Sequence, residues 1–356
     1  MADASNQMKI AVVPGDGIGN EVMPEAIGVL EAVARKYDLG FQFDDKDWSC
    51  ERYHKEGALM PDDALESISG HDGVLFGACG FPGVPDHISL WGLLVPIRRA
   101  FKQYVNLRPV RLFEGMPCPL AGRKPGDIDF WIVRENNEGE YSEIGGRMYQ
   151  GTPEEMAVQQ AIFTRKGTDR IMRYAFELAG RVGKSKVTSA TKSNGIIHSM
   201  PFWDERFEII SAEYPDIKTD KFHIDILTAH FVRNPDWFEV VVGSNLFGDI
   251  LSDLGPAVTG TIGIAPSANI NPEREHPSMF EPVHGSAPDI AGQGIANPIG
   301  QIWSAAMMLE HLGHAEAATD IVSAIETIVA TDGPKTRDMG GTADTKELGR
   351  AIVEAL

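Results

Sequence analysis

The sequence predicts an α/β protein with a large, mostly parallel, twisted β-sheet and flanking helices. Short apolar runs typical of buried strands recur between residues 9 and 242, and segments with helical periodicity lie between the later runs. This alternation favours a parallel sheet, because parallel strands need long crossover connections that are usually helices. The 356 residues allow two domains, and since no linker or repeat is present we expect them to be intimately joined.

The predicted elements follow in chain order. Strands are expected at residues 9–13, 74–77, 105–112, 129–133, 186–190, 222–224 and 239–242. Helices are expected at residues 168–182, with Thr168 or Asp169 as N-cap, and at 195–213, 299–312, 315–330 and 345–356.

The first predicted strand runs into a glycine turn at residues 14–19. Gly15 and Gly17 fit the first two glycines of a dinucleotide-binding fingerprint, but Asn20 occupies the third position. We therefore interpret this segment as a tight strand-to-helix turn, and a pyrophosphate-binding role is the less favoured alternative.

Residues 141–163 interrupt the alternation and predict a protruding arm. This stretch contains Gly145, Gly146, Gly151 and Pro153, and it ends in the apolar run 158–163. An exposed segment with strand character can pair with another chain. We therefore expect the arm to take part in a homodimer.

The composition excludes several classes of protein. The formal net charge is −19 and no basic stripe is present, so a nucleic-acid partner is not expected. No apolar stretch reaches about 18 residues and residues 1–8 lack a signal pattern, so we expect no membrane segment. Cys50, Cys79 and Cys118 share no metal-ligand spacing, and they predict reduced thiols in a cytoplasmic protein.

Two aspartates predict a metal site. Asp249 and Asp253 lie four residues apart in a segment expected to open a helix, so their carboxylates share one face. Like charges at this spacing cost about 0.2–0.5 kcal/mol, which suggests a cation between them. Mg²⁺ or Mn²⁺ fits, because both prefer oxygen ligands. Asp225, at the end of another predicted strand, is a candidate third ligand, and a solvated acidic face is the alternative.

Three arginines are candidates for binding an anion. Arg98 and Arg108 lie ten residues apart, and Arg134 ends the predicted strand 129–133. Guanidinium groups bind carboxylates with two parallel hydrogen bonds. Unrelated surface or salt-bridged arginines are the alternative.

Two further residues are candidates for moving protons. Tyr141 follows Arg134 closely, and a phenol beside a cation can donate a proton. Lys192 directly follows a predicted strand, and a lysine near arginines and a metal ion could act as a base. Simple packing for Tyr141 and solvent exposure for Lys192 are the alternatives.

The loop at residues 280–292, with residues 295–298 after it, predicts a nucleotide site. Its candidate cofactor residues are Glu281, His284, Gly285, Ser286, Ala287, Asp289, Ile290 and Asn297. The Asp289 carboxylate can accept from the 2′-hydroxyl of an adenosine ribose and would repel a 2′-phosphate. The loop therefore favours NAD over NADP.

These motifs together resemble the isocitrate/isopropylmalate dehydrogenase family, whose members are metal-dependent β-decarboxylating dehydrogenases of 2-hydroxy acids. The matching segments, in order, are residues 14–19, Arg98 with 106–109, Arg134 with 139–141, residues 191–194, Asp225, residues 245–253 and residues 281–289. The resemblance covers essentially the whole chain. It implies that family's fold, which also explains why the Rossmann fingerprint fails.

The resemblance also implies roles for the candidate residues. Arg98, Arg108 and Arg134 would hold substrate carboxylates, and Asp225, Asp249 and Asp253 would hold Mg²⁺ or Mn²⁺. Lys192 and Tyr141 would handle protons, with Asp225 beside them in catalysis. Asp289 with Ile290 matches the NAD-using pattern, and a monovalent cation such as K⁺ is a further cofactor candidate. Lys192 and Asp225 would reach into the partner subunit's site, so the active form would be a homodimer.

The segment before Arg98 distinguishes branches of the family. Isocitrate enzymes carry a Ser-x-Asn arrangement there and isopropylmalate enzymes a leucine-rich apolar face, whereas this chain has Ser89 and Trp91 at residues 86–92. This segment is similar to the tartrate dehydrogenase/D-malate dehydrogenase branch, which implies a small 2-hydroxy dicarboxylate as substrate. Ser89 and Trp91 are therefore candidate substrate-binding residues.

The expected large, cofactor-binding domain comprises residues 1–102 and 256–356. The smaller domain, for dimerisation and for the metal and substrate, comprises residues 103–255. Three other functions remain open: a 3-isopropylmalate dehydrogenase, a non-catalytic regulatory subunit, and a Mg²⁺-dependent NTPase. The NTPase is disfavoured because no G-x-x-x-x-G-K-[ST] loop is present.

Overall fold

The computed structural model describes residues 7–356; residues 1–6, part of the N-terminal stretch expected to lack a signal pattern, lie outside the described residues. The strands are β1 (Gln7–Gly15), β2 (Gly40–Asp45), β3 (Gly73–Ala78), β4 (Val105–Arg111), β5 (Asp129–Glu135), β6 (Gly145–Met148), β7 (Met156–Gln159), β8 (Lys186–Thr191), β9 (Lys218–His223), β10 (Val240–Gly243), β11 (Pro266–Ile270) and β12 (Ser278–Pro282). The helices are α1 (Gly19–Tyr37), α2 (Cys50–Glu56), α3 (Ala64–Ile68), α4 (Asp86–Ser89), α5 (Val95–Ala100), α6 (Arg165–Arg181), α7 (Ser199–Ser211), α8 (Ile224–Arg233), α9 (Asn245–Thr259), α10 (Ile299–His311), α11 (Ala315–Ala330) and α12 (Thr345–Glu354).

Ten strands form one sheet in the order β2-β1-β3-β12-β11-β4-β5-β10-β8-β9. Parallel pairing joins β1 to β2 and β3, β12 to β3, β10 to β5 and β8, and β8 to β9, whereas β11 and β12 are antiparallel. This mostly parallel sheet with flanking helices confirms the predicted fold class. Val240, Val241 and Val242 are fully buried, which explains why β10 appears in the sequence as an uninterrupted apolar run.

The chain packs into two compact units. Unit 1 contains the described residues up to Gln103, together with Arg108–Ile128 and Gly255–Leu356. Unit 2 contains Tyr104–Leu107 and Asp129–Leu254. Residues Arg108–Ile128 group with unit 1, whereas the domain boundaries expected from the sequence place them in the smaller domain.

The glycine turn of unit 1 is held by close backbone packing. The amide of Asp16 donates to the Ala78 carbonyl at 2.8 Å, and the amide of Ile18 donates to the Ser286 carbonyl at 2.9 Å. Gly17 has φ +55°, and a Cβ atom there would lie 2.1 Å from the Ser286 oxygen. Only glycine fits this position, because a side chain would be both strained and in collision with backbone. The glycine pattern thus has a packing role, and the pyrophosphate-binding alternative stays a prediction.

Several predicted element boundaries are wrong. Helix α6 begins at Arg165, and its N-cap is Thr164, whose hydroxyl accepts from the Gly167 amide at 3.0 Å. Thr168, one of the two predicted caps, lies within the helix and is fully buried. It therefore packs inside the protein and does not cap α6. Helix α7 begins at Ser199, four residues later than expected, and α12 ends at Glu354.

The sequence predicted that Asp225 lies at the end of a strand, and this prediction is wrong. Strand β9 ends at His223, and Asp225 lies in the first turn of α8. A carboxylate in this position is favoured by the partial positive charge at a helix N-terminus. Asp225 is therefore placed by a helix start and not by a strand end.

Three strands of unit 1 were not predicted: β2, β11 and β12. Strand β12 is completely buried although it contains Glu281 and ends in proline. Its apolar pattern in the sequence is weak because Glu281 interrupts it. Glu281 can be buried because it forms an ion pair with Arg98, which the sequence does not show.

Strands β6 and β7 form a separate two-stranded antiparallel sheet within the predicted arm. All eight of their residues are exposed, and so are the neighbouring Ile144 and Tyr149. The predicted arm thus exists as an exposed hairpin with apolar side chains on its surface. Its role in dimerisation stays a prediction.

No helix within residues 7–356 is both long enough and apolar enough to cross a membrane.

The Gly17 turn yields a test of the fold. Gly17→Ala should lower the free energy of unfolding by at least about 2 kcal/mol, because φ +55° and the Ser286 oxygen at 2.1 Å both oppose a Cβ atom. The matched control is Gly28→Ala in α1, where a Cβ atom meets nothing within 4 Å. That change should stabilise the protein by about 0.5–1 kcal/mol. Urea unfolding at equal protein concentration measures both, and equal stability of the two variants would contradict the packing role.

Candidate active site

Arg134 occupies the carboxyl end of β5 and is 3% exposed. Its Nε and Nη2 atoms donate to the Asn245 Oδ1 atom at 3.1 and 2.7 Å, and its Nη1 atom donates to Asp249. Gly248 permits this approach, because a Cβ atom there would lie 2.5 Å from the Arg134 Cβ atom. The strand end and the first turns of α9 are therefore joined through one buried guanidinium. The alternative of a surface arginine is wrong for Arg134.

Tyr141 approaches the same aspartate from the loop after β5. Its hydroxyl donates to the Asp249 Oδ2 atom at 2.7 Å, and the Arg134 Cζ atom lies 5.4 Å from its ring centroid. Each carboxylate oxygen of Asp249 thus accepts from a different residue. A phenol held between a cation and a carboxylate has a fixed orientation, which a proton donor needs.

Glu140 anchors the start of α9 and was not singled out by the sequence analysis. Its Oε1 atom accepts from the Ser244 hydroxyl at 2.8 Å, and its Oε2 atom accepts from the Leu246 amide at 3.0 Å. A carboxylate that caps free amides at a helix N-terminus is favoured by the helix dipole. Since Glu140 precedes Tyr141 directly, this cap also positions the tyrosine. The only sequence signal was an acidic residue beside a candidate catalytic residue.

Glu135 shapes the loop that carries Tyr141. Its Oε2 atom accepts from the Asn137 and Glu138 amides at 2.9 and 2.7 Å, and its Oε1 atom accepts from Arg170 at 3.1 Å. Burial raises the pKa of this carboxyl to about 7, although the two amides and Arg170 act in the opposite direction. The loop geometry therefore depends on a buried acid that the sequence analysis did not identify.

Asp253 and Asp225, the other two carboxylates of the predicted metal site, have environments that differ from that of Asp249. Asp253 is exposed one turn further along α9, on the same helix as the half-buried Asp249. Asp225 accepts from the Lys192 Nζ atom at 2.8 Å, and this hydrogen bond holds the pKa of Asp225 below its usual range. Within residues 7–356, no group of three clustered ligand atoms contains these carboxylates. The three-aspartate metal site thus stays a prediction that includes a partner subunit.

Unit 1 carries the other two candidate arginines, Arg98 and Arg108, each 8% exposed. The Arg98 Nη2 atom donates to Glu281 at 2.8 Å, and its buried Nε atom has no hydrogen-bond partner among residues 7–356. The Arg108 Nε atom donates to the Ser267 hydroxyl at 3.3 Å. Burial of both guanidinium groups contradicts a role as surface charges, whereas the ion pair of Arg98 with Glu281 agrees with the salt-bridged alternative. The buried Arg98 N–H that lacks a partner among the described residues is a feature that a bound anion would satisfy.

Ser89 and Trp91 lie in the segment that leads to Arg98. The Ser89 hydroxyl donates to the Asp86 carbonyl at 2.9 Å, within α4. Trp91 belongs to a π-helical turn at Leu90–Leu94, and its ring centroid lies 5.0 Å from the Arg99 Cζ atom. Such turns occur often at functional sites. The structure gives Ser89 a local partner, and substrate contact by either residue stays a prediction.

The predicted cofactor loop follows β12 and packs on the glycine turn of unit 1. Ala287 has φ +41°, a strained value for a residue with a side chain, and Ser286 accepts from Ile18. The His284 Nδ1 atom lies 3.0 Å from the Gly285 carbonyl, while its buried Nε2 atom has no partner in the described part of the chain. Burial lowers the pKa of His284. The Gly285 carbonyl can only accept, so Nδ1 is the donor in this contact.

The end of this loop is held by residues that the sequence analysis did not identify. Glu21 accepts from the Gly292 and Gly294 amides at 2.6 and 2.8 Å. Asp338 accepts from the Asn297 Nδ2 atom at 2.9 Å, and it lies far along the chain in a short helical turn. Neither carboxylate is part of a recognisable motif, because each acts through backbone or amide groups that only folding brings near.

Two predicted residues of the loop have different environments. Asp289 is exposed, so its carboxylate is open to a ligand. Ile290 packs against the buried cluster of Ile18, Val22 and Ala296. Glu281, by contrast, is engaged with Arg98 and with the Asn269 Nδ2 atom at 2.7 Å. These bonds give Glu281 a structural role in addition to the predicted cofactor contact.

Comparison with known proteins identifies the class. The family model for isocitrate/isopropylmalate dehydrogenase matches residues 9–352. The crystal structure of isocitrate dehydrogenase from Methylococcus capsulatus superposes with a TM-score of 0.88 at 36% identity, covering 98% of this chain and 99% of that one. The chain therefore belongs to the isocitrate/isopropylmalate dehydrogenase family and is an enzyme. Membership implies a nicotinamide cofactor and a divalent metal in general terms.

Within the family, two curated relatives point to one branch. The chain is 59% identical to the D-malate dehydrogenase [decarboxylating] of Escherichia coli (strain K12), over 98% of each chain. It is 58% identical to the tartrate dehydrogenase/decarboxylase of Pseudomonas putida, over 99% of this chain and 98% of that protein. The similarity to the tartrate and D-malate dehydrogenase branch, suggested by residues 86–92, is thus confirmed.

Glu140 yields a test of how the site is positioned. Glu140→Gln should lower the free energy of unfolding by about 1–2 kcal/mol, because the amide cannot replace a charged acceptor at the start of α9. Glu154→Gln, in the exposed turn of the arm, is the matched control and should change stability by less than about 0.5 kcal/mol. Urea unfolding at matched protein concentration measures both. Indistinguishable midpoints would show that Glu140 does not anchor α9.

Proposed function

We propose that this enzyme oxidises (R)-malate with NAD⁺ and decarboxylates it to pyruvate and CO₂, and that it also oxidises tartrate isomers. The observation that carries the proposal is the shared contact at Asp249, where Arg134 and Tyr141 meet one carboxylate. A substrate-binding cation, a proton donor and a metal-binding carboxylate are then adjacent. The names of the relatives at 58–59% identity support the choice of substrates.

The substrate carboxylates are assigned to the three buried arginines. Both malate and tartrate carry two carboxylates, and an arginine pairs with a carboxylate through two donors in one plane. Arg98 supports this assignment because its buried Nε atom has no hydrogen-bond partner within residues 7–356. The 8% exposure of Arg98 and Arg108 also means that a bound carboxylate would be shielded from water, which strengthens the ion pair.

The donor set at Asp225, Asp249 and Asp253 fits a hard divalent cation. Arg134 and Tyr141 each donate to one oxygen of the Asp249 carboxylate, and these bonds hold the carboxylate in a fixed orientation. Mn²⁺ or Mg²⁺ held there would supply a Lewis acid for the oxygen at C2. As the family resemblance implies, Asp225 would come from the partner subunit together with Lys192, which donates to it at 2.8 Å. A monovalent cation such as K⁺ remains a further candidate.

The loop after β12 is assigned to NAD. The buried Nε2 atom of His284 has no hydrogen-bond partner among residues 7–356, and the exposed Asp289 carboxylate can accept from a ribose hydroxyl and repel a 2′-phosphate. Bound NAD⁺ would supply the hydride acceptor. Gly285, Ser286, Ala287 and Asn297 are assigned to the same cofactor site, and Ser286 also holds the loop against the glycine turn by accepting from the Ile18 amide.

Two residues of this chain are assigned to proton transfer. Lys192, directly or through a water molecule, removes the proton of the C2 hydroxyl as hydride leaves C2. Loss of the C4 carboxyl as CO₂ then leaves electron density at C3. Tyr141 donates its proton to C3, and pyruvate is released. The hydrogen bond from Tyr141 to Asp249 supports this role because it holds the phenol in one orientation.

The active assembly is proposed to be a homodimer in the cytoplasm. The arm supports this proposal because Ile144, Met148 and Tyr149 are between 51 and 60% exposed, which is unusual for side chains of this size. A second copy would cover them. The larger domain is assigned to the cofactor, and the smaller one to dimerisation, metal and substrate.

A substrate panel tests the proposed activity. NADH formation should be fast with (R)-malate and tartrate and weak with 3-isopropylmalate, because the bulky Trp91 and the polar Ser89 precede Arg98 where an isopropyl group would need an apolar face. Each reaction should depend on added Mn²⁺ and disappear with EDTA. A strong preference for 3-isopropylmalate would make the enzyme an isopropylmalate dehydrogenase. No turnover by the purified chain with any of the three would favour a regulatory subunit.

The proton-transfer roles have separate signatures. Lys192→Met should slow hydride transfer from (R)-malate by at least about 100-fold, because no base replaces the amine. Tyr141→Phe should leave NADH formation in the first turnover largely intact and slow pyruvate release by about 100-fold or more. Rapid-quench analysis of both products in a single turnover separates the steps. Lys166→Met, at an exposed position outside the arm, is the control and should behave as wild type. Normal pyruvate formation by both active-site variants would contradict the assignment.

A further inference from the structure

Two cysteines far apart in the sequence lie together beneath the glycine turn of unit 1. Cys50 is the first residue of α2, and Cys79 directly follows β3. Their sulfur atoms are 3.5 Å apart. One ligand atom from each of Cys50, Cys79 and Asp16 lies within 4.8 Å of the other two. In the part of the chain that the structure describes, this is the one group of three potential metal ligands, and residue spacing alone did not suggest it.

The three residues are held in place by burial and by backbone bonds. Cys50 is fully buried, Asp16 is 2% exposed, and Cys79 is partly exposed and so open to entry of an ion. The Asp16 Oδ2 atom accepts from the amides of Cys50 and Gly80 at 2.9 and 3.1 Å, and Oδ1 accepts from the Glu51 amide at 2.9 Å. An ionised carboxylate has about four acceptor positions, so these three bonds leave one for another ligand.

We propose that Cys50, Cys79 and Asp16 form a binding site for one thiophilic divalent cation, of the kind represented by Zn²⁺ and Cd²⁺. Tetrahedral zinc with Zn–S bonds of about 2.3 Å places two sulfur ligands about 3.8 Å apart. The observed separation of 3.5 Å matches this spacing without movement of the backbone. A carboxylate oxygen within 4.8 Å completes a third corner after a small inward shift, and water takes the fourth.

The same pair is less suited to a disulfide. A disulfide requires the sulfur atoms at about 2.05 Å, so they would have to approach by about 1.5 Å between a helix start and a strand end.

Metal binding requires no oxidant. The cation forms two metal–sulfur bonds, and the two thiol protons pass to solvent, so no atom changes its oxidation state. Two thiolates and the Asp16 carboxylate then surround a charge of +2. Thiolate donors select soft cations, whereas Mg²⁺ and Mn²⁺ prefer oxygen. The ion that serves the three-aspartate site would therefore not compete for this one.

Titration of the reduced, metal-free full-length protein with CdCl₂ tests the proposal. Wild type should show the ultraviolet thiolate-to-cadmium charge-transfer band, saturating at one equivalent, in the presence of excess Mg²⁺. ZnCl₂ should displace the cadmium and abolish the band. Saturating ZnCl₂ should also raise the midpoint of thermal unfolding, because a ligand that binds only the folded state stabilises it.

Matched variants decide which thiols bind. Cys50→Ser and Cys79→Ser should each weaken cadmium binding at least about tenfold and reduce the band, since one ligand is lost. Cys118→Ser, which removes the third cysteine, should bind as wild type. Cys50→Ala, which avoids a buried hydroxyl, covers the possibility that Cys50→Ser does not fold. Absence of the band in wild type, or its persistence in folded Cys50→Ala and Cys79→Ser, would overturn the proposal.

Discussion

The rest of the candidate site depends on the buried guanidinium of Arg134. It ends the central strand β5, and its donors reach Asn245 and Asp249 in the first turns of α9. A buried charge without partners would be very unfavourable, so α9 must begin where it can supply an amide oxygen and a carboxylate. This constraint places Asp249 within reach of Tyr141, and Glu140 then caps the helix that carries two of the three proposed metal ligands. The ion pair between Arg134 and Asp249 therefore contributes both to the fold and to the candidate site.

In unit 1 the glycine turn depends on close backbone packing and on the Asp16 carboxylate. Gly17 lets the glycine turn lie against Ser286, and Ala287 accepts a strained backbone angle beside it. Strain of this kind persists only where the surrounding structure holds it, and it is concentrated at ligand-binding loops. Asp16 stabilises the same turn through three amides and brings two thiols to its side. One turn therefore supports both the proposed cofactor loop and the proposed thiolate site.

Most of the fold could be predicted from the sequence, because buried parallel strands and amphipathic helices have distinct apolar periods. Strands β8 and β10 and helix α11 were expected close to their observed bounds. Strand β12 was missed because Glu281 interrupts its apolar run, and its ion pair with Arg98 is a tertiary contact. The N-cap of α6 was placed four residues late, because Thr164 and Thr168 are equally good caps and only burial separates them.

The sequence by itself determined the family of this protein and its candidate donor groups, because donor type is a property of each side chain and the ordered motifs preserve it. It supplied the arginines, the aspartates, Tyr141 and Lys192. Only the tertiary structure decided which of these groups meet. Tyr141 and Asp249 are 108 residues apart, and Cys50 and Cys79 are 29 apart. Contacts between residues so far apart in the sequence leave no local sequence pattern, because they arise from the packing of strand ends against helix starts. For this reason Glu140 and the thiol pair emerged only from the folded chain.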